Sequence, residues 1–170
     1  MEKLTEEVMD RLFQPVGEII VQWGVTDVLV HHLGFAMLQY LGKSPRDSPW
    51  PKALGHRLSL IEEMFAKRDE FAKFAKAAKA ALANLRHQQT LRDMLVHGAA
   101  VRYDREKDGV LFRRMDQKTK GERRREPMIT HRPKQMLVRF GVLKIASGNC
   151  VVINTDLANL HTAIRDLPRP

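Results

Sequence analysis

Three polar residues near the middle of the chain have the types and the spacing that chemistry on a phosphate requires. Arg92, Asp93 and His97 lie within the segment LRDMLVHG. Histidine can act as a general base or acid near neutral pH, and arginine can bind a phosphate with two donors. One helical turn separates Asp93 from His97, so the carboxylate can hold one imidazole nitrogen and fix its tautomer. These residues form the candidate catalytic site.

The same residues also fit an ordinary helix end. His97 followed by Gly98 is typical of a C-terminal cap, with the histidine at the negative end of the helix dipole. An arginine followed by a histidine a few residues later is also a common pattern, since Arg124 and Arg125 stand in that relation to His131. From the residues alone, a catalytic site and a solvated helix end both stay open.

A long helix is predicted to carry the candidate site at its end. Apolar residues recur at helical spacing over about 69–97, and Lys73, Lys76 and Lys79 follow a second face that is predicted to be solvated. The predicted buried stripe consists of Phe71, Phe74, Ala78, Leu82 and Leu85.

The chain before the long helix is also predicted to be mostly helical. Thr5 is a favourable N-cap, and helical periodicity continues from there to Leu41. Pro15 and Gly17 predict a kink or a break between a short first helix and a longer second one. The segment GKSPRDSPWP is predicted to be a loop, and a shorter helix is predicted around LSLIEEMF.

Short β segments are predicted after the long helix. AAVRYD and GVLFRRM read as one pair of strands across a polar turn. MLVRFGVLKI and CVVI read as a second pair, joined by the turn residues ASGN. Cys150 lies in the last of these segments and is predicted to be a buried thiol.

A final helix is predicted over 154–168, with Asn154 or Thr155 as its N-cap. The predicted fold class is therefore mainly α, a helical bundle with a small β-hairpin insertion before the last helix. The prediction is one domain, with the bundle over 1–98 and the β insertion with its basic loop over 99–153.

Positive charge is concentrated in one part of the chain. The formal net charge is +9, and residues 113–139 hold ten Arg or Lys against three acids. This balance favours a phosphate-bearing partner, although a solvated basic loop would show the same composition. The candidate nucleic-acid-binding residues are Arg113, Arg114, Lys118, Lys120, Arg123, Arg124 and Arg125.

Other classes of function find less support in the sequence. A single cysteine excludes an internal disulfide, and neither a Walker A nor a GxGxxG phosphate-binding loop occurs. His31 and His32 are adjacent, so on a helix they point to different faces and make a poor metal pair. The most apolar run is interrupted by Gln22 and Asp27 and is shorter than a bilayer span. We therefore predict a cytoplasmic protein with no cofactor, no metal and no membrane segment.

The segment LRDMLVHG resembles the motif of the HEPN superfamily, the higher eukaryotes and prokaryotes nucleotide-binding domains. That motif has an arginine, a polar residue, three further residues and a histidine near the end of a late helix. Arg92, Asp93 and His97 match it, and Gly98 agrees with the glycine that often follows. PVGEIIVQWGVTDVLVHHL is similar to the opening helix of many small members, and the later helices follow in a compatible order. The charged insertion over 113–139 is not a general family feature.

The resemblance implies a homodimer in which two Arg–His motifs face each other across a cleft. It also implies a metal-independent endoribonuclease of the toxin or defence type, for which a cognate antitoxin is a possible partner. His97 would be the general base on the ribose 2′-OH or the acid toward the leaving 5′-oxygen, and Arg92 would neutralise charge on the phosphate. Asp93 would orient His97 or contact the RNA. The alternative is a non-catalytic, dimeric scaffold that binds a nucleotide or a nucleic acid.

Overall fold

The structure, a computed structural model, describes residues 1–44, 50–114 and 134–168. Within these ranges the chain forms four α-helices and three strands, with a 3₁₀ helix (Asp69–Phe74) before the third α-helix. The α-helices are α1 (Glu6–Tyr40), α2 (Leu54–Lys67), α3 (Ala75–His97) and α4 (Phe140–Arg165). The strands are β1 (Ala99–Asp104), β2 (Gly109–Arg114) and β3 (Lys134–Arg139). The prediction of a mainly α chain with a small β insertion before the last helix is confirmed.

Helix α1 is a single helix that begins after the predicted cap. The Thr5 side chain accepts a hydrogen bond from the backbone N–H of Val8 at 3.3 Å. The helix continues through Pro15, so of the two predicted alternatives, a kink or a break, the break is wrong. Leu12 and Ile19 are buried on either side of the proline, and their packing offsets the backbone hydrogen bond that proline removes.

By length and composition alone, α1 could cross a membrane. It has 35 residues and contains an 18-residue window with a mean hydropathy of 1.2, of which 33% is buried. A core helix of a soluble protein passes the same test, and α1 buries Val30, Leu33 and Met37 completely. The apolar run, which is shorter than a bilayer span, is therefore only one part of a longer helix. The absence of a membrane segment remains a prediction.

Helices α1 and α4 lie side by side and run in the same direction. Four side-chain contacts join them in the same order along both helices: Arg11 with Phe140, Glu18 with Ser147, Thr26 with Asn154, and His32 with His161. Helix α3 runs the opposite way, because its first half packs beside the C-terminal half of α1 and its end packs beside the N-terminal half. The sheet after α3 therefore returns the chain to the start of α4.

Two hydrophobic clusters hold these elements together. The larger lies among the four helices and includes Leu33, Leu58, Leu82 and Leu157. The smaller joins the sheet to the helices. It contains Val8, Leu12 and Ile19 of α1, Met94 and Leu95 of α3, Tyr103, Val110, Phe112 and Val138 of the sheet, and Leu143 and Ala146 of α4. The end of α3 therefore lies over a packed sheet.

The sheet is antiparallel, with strand order β1-β2-β3. A bulge interrupts β1 between Ala100 and Arg102. The turn between β1 and β2 is tied to α1, since Asp108 accepts hydrogen bonds from Arg11 at 2.9 Å and from the Tyr103 hydroxyl at 2.8 Å. The Tyr103 hydrogen bond is the main reason, followed by Arg11, that the pKa of the Asp108 carboxyl lies below its usual value.

Three predictions for the last third of the chain are wrong. Helix α4 begins at Phe140, so the second strand of the second predicted pair, its ASGN turn and the cap at Asn154 or Thr155 all lie inside one helix. The β insertion accordingly ends at Arg139. The reason is packing against α1: Leu143, Ala146, Cys150, Ile153, Leu157, Leu160 and Ile164 are buried along one helical face.

Candidate functional site

The last two turns of α3 position the predicted catalytic residues. Met94 and Leu95 are buried in the smaller cluster and fix the rotation of the helix. Arg92 and Asp93 are thereby held at its edge, with side chains 30% and 32% exposed. His97 is the last residue of α3 and is exposed.

Gly98 ends α3 in an extended conformation, not in the left-handed one that the usual glycine cap adopts. Its backbone N–H donates to the carbonyl oxygen of Met94 at 2.9 Å. A Cβ atom at this position would collide with that same carbonyl. Glycine is therefore required here by close approach, and it lets the chain turn directly from the candidate site into β1.

Arg92 has contacts on several sides. Its Nη1 atom donates to Oδ1 of Asp93 at 2.9 Å, and its Cζ atom lies 6.0 Å from the centroid of the Trp23 ring. Its Nε atom is buried and has no hydrogen-bond partner among the described residues. Since a guanidinium carries five N–H donors, Arg92 retains donors that Asp93 does not use.

An open cleft of about 530 Å³ lies between α1 and α3 at this position. Helix α3 contributes Gln89, Arg92 and Asp93 to its wall, so two of the three predicted catalytic residues line a cavity. Helix α1 contributes Trp23 and Asp27. The cleft therefore joins a cation, two carboxylates and an amide above a buried indole, a set of groups suited to a polar, charged ligand.

His97 lies outside the wall of this cleft. The predicted hydrogen bond between Asp93 and His97 does not occur in the described part of the chain, because Asp93 binds Arg92 instead. The structure thus brings Arg92 and Asp93 together and leaves His97 exposed one turn further along α3. Within one chain, the imidazole does not point into the space that the guanidinium lines.

Two residues of the cleft could not be predicted from the sequence. Trp23 and Asp27 lie on α1, and nothing in their spacing indicates that α3 packs beside them. Asp27 also accepts a hydrogen bond from Nη1 of Arg57 at 2.9 Å, which links α2 to the rim of the cleft.

The predicted nucleic-acid-binding residues divide between described and undescribed parts of the chain. Arg113 is exposed on β2, and Arg114 at its end is half-buried. The remaining five lie outside the described residues: Lys118, Lys120, Arg123, Arg124 and Arg125.

The other side chains that could carry chemistry, a cysteine and three histidines, are not in the wall of this cleft. Cys150 is buried, as predicted, although in α4 and not in a strand, and burial raises the pKa of its thiol. His31 packs 4.0 Å from the Phe35 ring, and the His32 and His161 rings lie 5.8 Å apart. Among the described residues, no group of three His, Cys, Asp or Glu side chains could hold a metal ion.

Comparison with known proteins gives no match to a protein-family model, a curated protein or a solved structure.

Proposed function

We propose that this protein binds RNA and cleaves it without a metal ion, as a HEPN-like endoribonuclease of the toxin or defence type. The observation that carries the proposal is Arg92, a guanidinium with spare donors in the wall of an open cleft, one to two helical turns from the exposed His97. Arginine recognises phosphate through paired donors, and histidine transfers protons near neutral pH. The chain motif and the cleft therefore favour the same substrate class.

In the proposed reaction, His97 removes the proton from a ribose 2′-OH. The 2′-oxygen then forms a bond to phosphorus, and the bond from phosphorus to the 5′-oxygen breaks. A second imidazole in its protonated form gives the departing 5′-oxygen a proton. Arg92 stabilises the extra negative charge on the phosphate, and Asp93 positions the Arg92 guanidinium. The products are a 2′,3′-cyclic phosphate and a 5′-hydroxyl, and DNA is not cut because it lacks the 2′-OH.

The reaction needs two imidazoles, and we propose that a second copy of the chain supplies one. Ile20, Val21, Val25 and Val28, here called the α1 apolar face, are 44 to 66% exposed. Ile20 also lines the cleft, opposite Val96, which is 38% exposed. Exposed apolar patches of this kind are typical of interaction sites. A homodimer through this face would bring a second α3 end towards the cleft. We place this dimer in the cytoplasm, and a cognate antitoxin is a further proposed partner.

A cleavage assay in EDTA tests the proposal. Wild type and His97→Ala are incubated with a pool of structured and unstructured RNA, and the 3′ ends of the fragments are analysed. His87→Ala is the matched control, since His87 is an exposed histidine on the same helix. We expect cyclic phosphate ends with wild type and the control, and a loss of at least about 100-fold with His97→Ala. Equal cleavage by all three proteins would show that His97 takes no part in the reaction.

A second function has an observation in its favour. Arg92 is already paired with Asp93, and His97 lies outside the cleft, as expected for a dimeric scaffold that binds RNA or a nucleotide without cleaving it. Binding of RNA by a folded dimer, together with intact RNA at high protein concentration, would favour this alternative.

A further inference from the structure

One face of the three-stranded sheet points away from the smaller hydrophobic cluster. In β2, Val110 and Phe112 are buried while Leu111 and Arg113 face the other way. The register places Arg102 and Leu137 on either side of Leu111. We call this surface the outer sheet face, and it is formed by Arg102, Leu111, Arg113, Gln135, Leu137 and Arg139.

The side chains of the three arginines on the outer sheet face have no partner among the described residues. The side chains of Arg102, Arg113 and Arg139 are exposed, and none of them has a hydrogen bond or an ion pair in the described ranges. Most other described arginines are paired with a carboxylate: Arg11, Arg57, Arg86, Arg92, Arg105 and Arg165. The unpaired guanidinium groups are therefore concentrated on one flat surface and not spread evenly over the molecule.

These arginines are also close together. Neighbouring strands are about 4.8 Å apart and alternate residues on a strand about 6.8 Å apart, so the three Cα atoms are separated by roughly 8 to 14 Å. Among the described residues of the strands, Asp104 at the end of β1 is the one acid beside this face, and it accepts a hydrogen bond from the backbone of Lys107. The outer sheet face therefore has a net positive charge with donors free for an anionic ligand.

We propose that the outer sheet face binds the phosphate backbone of RNA without regard to sequence. The inference rests on the proposed RNA-binding function and adds a second contact surface to it. Base recognition in single strands uses aromatic rings for stacking, and the described residues of this face include none. Arginine forks that bind phosphates, beside a flat apolar pair at Leu111 and Leu137, suit the backbone of a duplex or stem.

The outer sheet face begins close to the end of α3 in the chain, which suggests how RNA bound there would relate to the proposed site. β1 begins two residues after His97, and Arg102 lies five residues after it. An RNA stem held on the sheet would therefore place its continuation near the end of α3. The outer sheet face would anchor the substrate, while the groups at the end of α3 act on it.

The test compares two charge-matched variants of the full chain. One replaces Arg102, Arg113 and Arg139 with glutamine. The other makes the same change at Arg68, Lys76 and Arg165, which are exposed and lie in the helical part of the molecule. Both variants lower the net charge by three. The probe is a 20-base-pair RNA duplex in two unrelated sequences, and affinity is measured between 50 and 200 mM salt.

We expect the outer-face variant to lose at least about tenfold in affinity for both duplexes. The slope of log affinity against log salt should become shallower by about 2 to 3, roughly one unit for each lost phosphate contact. The control should change less than about threefold, and lysine at the three outer-face positions should restore most of the binding. RNA should also protect these three arginines of the wild type from phenylglyoxal, a result that does not depend on how a variant folds.

Equal losses in the two glutamine variants would overturn the inference, because net charge alone would then explain binding. So would binding of phosphatidylserine vesicles that depends on these arginines while RNA binding does not. If the wild type binds and cleaves RNA but the outer-face variant matches the control, only this inference fails. If the wild type binds no RNA at all, both this inference and the proposed function fail.

Discussion

Arg92 is the residue on which the proposed chemistry of the cleft depends most directly. Its guanidinium is held by Asp93 and by the neighbouring Trp23 ring, so little side-chain freedom remains to be lost when a phosphate binds. The same contacts show why lysine is not equivalent here. A lysine would keep the charge but would lose the planar fork of donors.

At this residue, we expect Arg92→Ala to lower the rate of RNA cleavage by about 100-fold or more. Arg92→Lys should retain an intermediate rate, because it keeps the charge without the paired donors. Single-turnover cleavage of one RNA substrate measures both. Arg86→Ala is the control, since Arg86 is on the same helix but is paired with Glu62 on α2. A rate for Arg92→Ala equal to that of the control would show that the guanidinium does not act on the phosphate.

Two histidines make the folded state sensitive to acid. Burial, helped by the charges of Arg57 and His32, lowers the pKa of His31; Asp27 opposes this effect. Burial, helped by His32 and Arg165 and opposed by Asp166, lowers the pKa of His161. The unfolded chain therefore binds more protons than the folded one as the pH falls below about 6.5, and the free energy of unfolding falls with it.

We expect the free energy of unfolding of the wild type to decrease between pH 7.5 and 5.5. The decrease should be smaller in the double variant His31→Gln, His161→Gln, which has no imidazole at these two positions. Urea unfolding at several pH values measures the effect, and His87→Gln, at an exposed position, should behave as the wild type. An equal pH dependence in the double variant would show that other groups cause the loss of stability.

At the scale of the helices, a buried polar network joins α1 to α4. The Thr26 hydroxyl lies 2.6 Å from Oδ1 of Asn154, and the Asn154 amide nitrogen donates to the backbone carbonyl and the side chain of Gln22. Thr26 and Asn154 are both buried. Because an unpaired buried polar group costs free energy, this network fixes the register between the two helices.

We expect Thr26→Val to reduce the free energy of unfolding by about 1 to 2 kcal/mol, since it leaves an Asn154 oxygen without its hydroxyl partner. The double variant Thr26→Val, Asn154→Leu should cost less than the sum of the single changes. Denaturant unfolding of the wild type, the two single variants and the double variant gives the coupling free energy between Thr26 and Asn154. Thr155→Val, an exposed change on α4, should cost less than about 0.5 kcal/mol. Strict additivity would argue against a shared network.

The helices show which parts of the fold can be read from a sequence and which cannot. The long helix predicted over about 69–97 is α-helical from Ala75, and its first six residues form a 3₁₀ helix instead. Phe71, Ala78, Leu82 and Leu85 are buried as predicted, while Phe74 is half-buried. The residues 140–153 are rich in β-branched side chains and contain turn formers, so local preference favours strands there. These residues form a helix because they pack along α1, and α1 is more than a hundred residues away from them in the chain.

The candidate site was predictable to a similar degree. Arg92 and Asp93 were identified from their residue types, and the structure places both on a cleft. The contact partner of Asp93 was not predictable, because neighbouring side chains on a helix edge compete for the same carboxylate. The contribution of α1 depends on tertiary packing, for which the spacing of residues along the chain holds no information.

At the scale of the whole molecule, the proposed dimer depends on the α1 apolar face. A charge placed there would have to be buried without a partner when two chains associate, and this is costly. Gly17 and Gly24 lie on the same side of the helix, and a Cβ atom at either would meet no described atom within 4 Å. Because no side chain projects from α1 at these two glycines, the backbone of another helix can approach α1 closely there.

We expect the wild type to have a solution mass twice the 19.5 kDa of one chain, and Val21→Asp to have the mass of a monomer. The same change should abolish cleavage if the second imidazole comes from the partner. Light scattering after gel filtration measures the mass. Val152→Asp is the control, because Val152 is similarly exposed, at 56%, but lies on α4. A monomeric wild type that cleaves RNA would contradict the dimer.

The parallel pairing of α1 with α4 has a consequence for how the protein is made. A ribosome completes α1 first and α4 last, so the nascent α1 has no partner for most of the time that the chain is being synthesised. Both hydrophobic clusters draw residues from α4, and the smaller one also needs the sheet. The end of α3 therefore reaches its final support only when α4 has emerged, so we expect the proposed site to form after most of the chain has been synthesised.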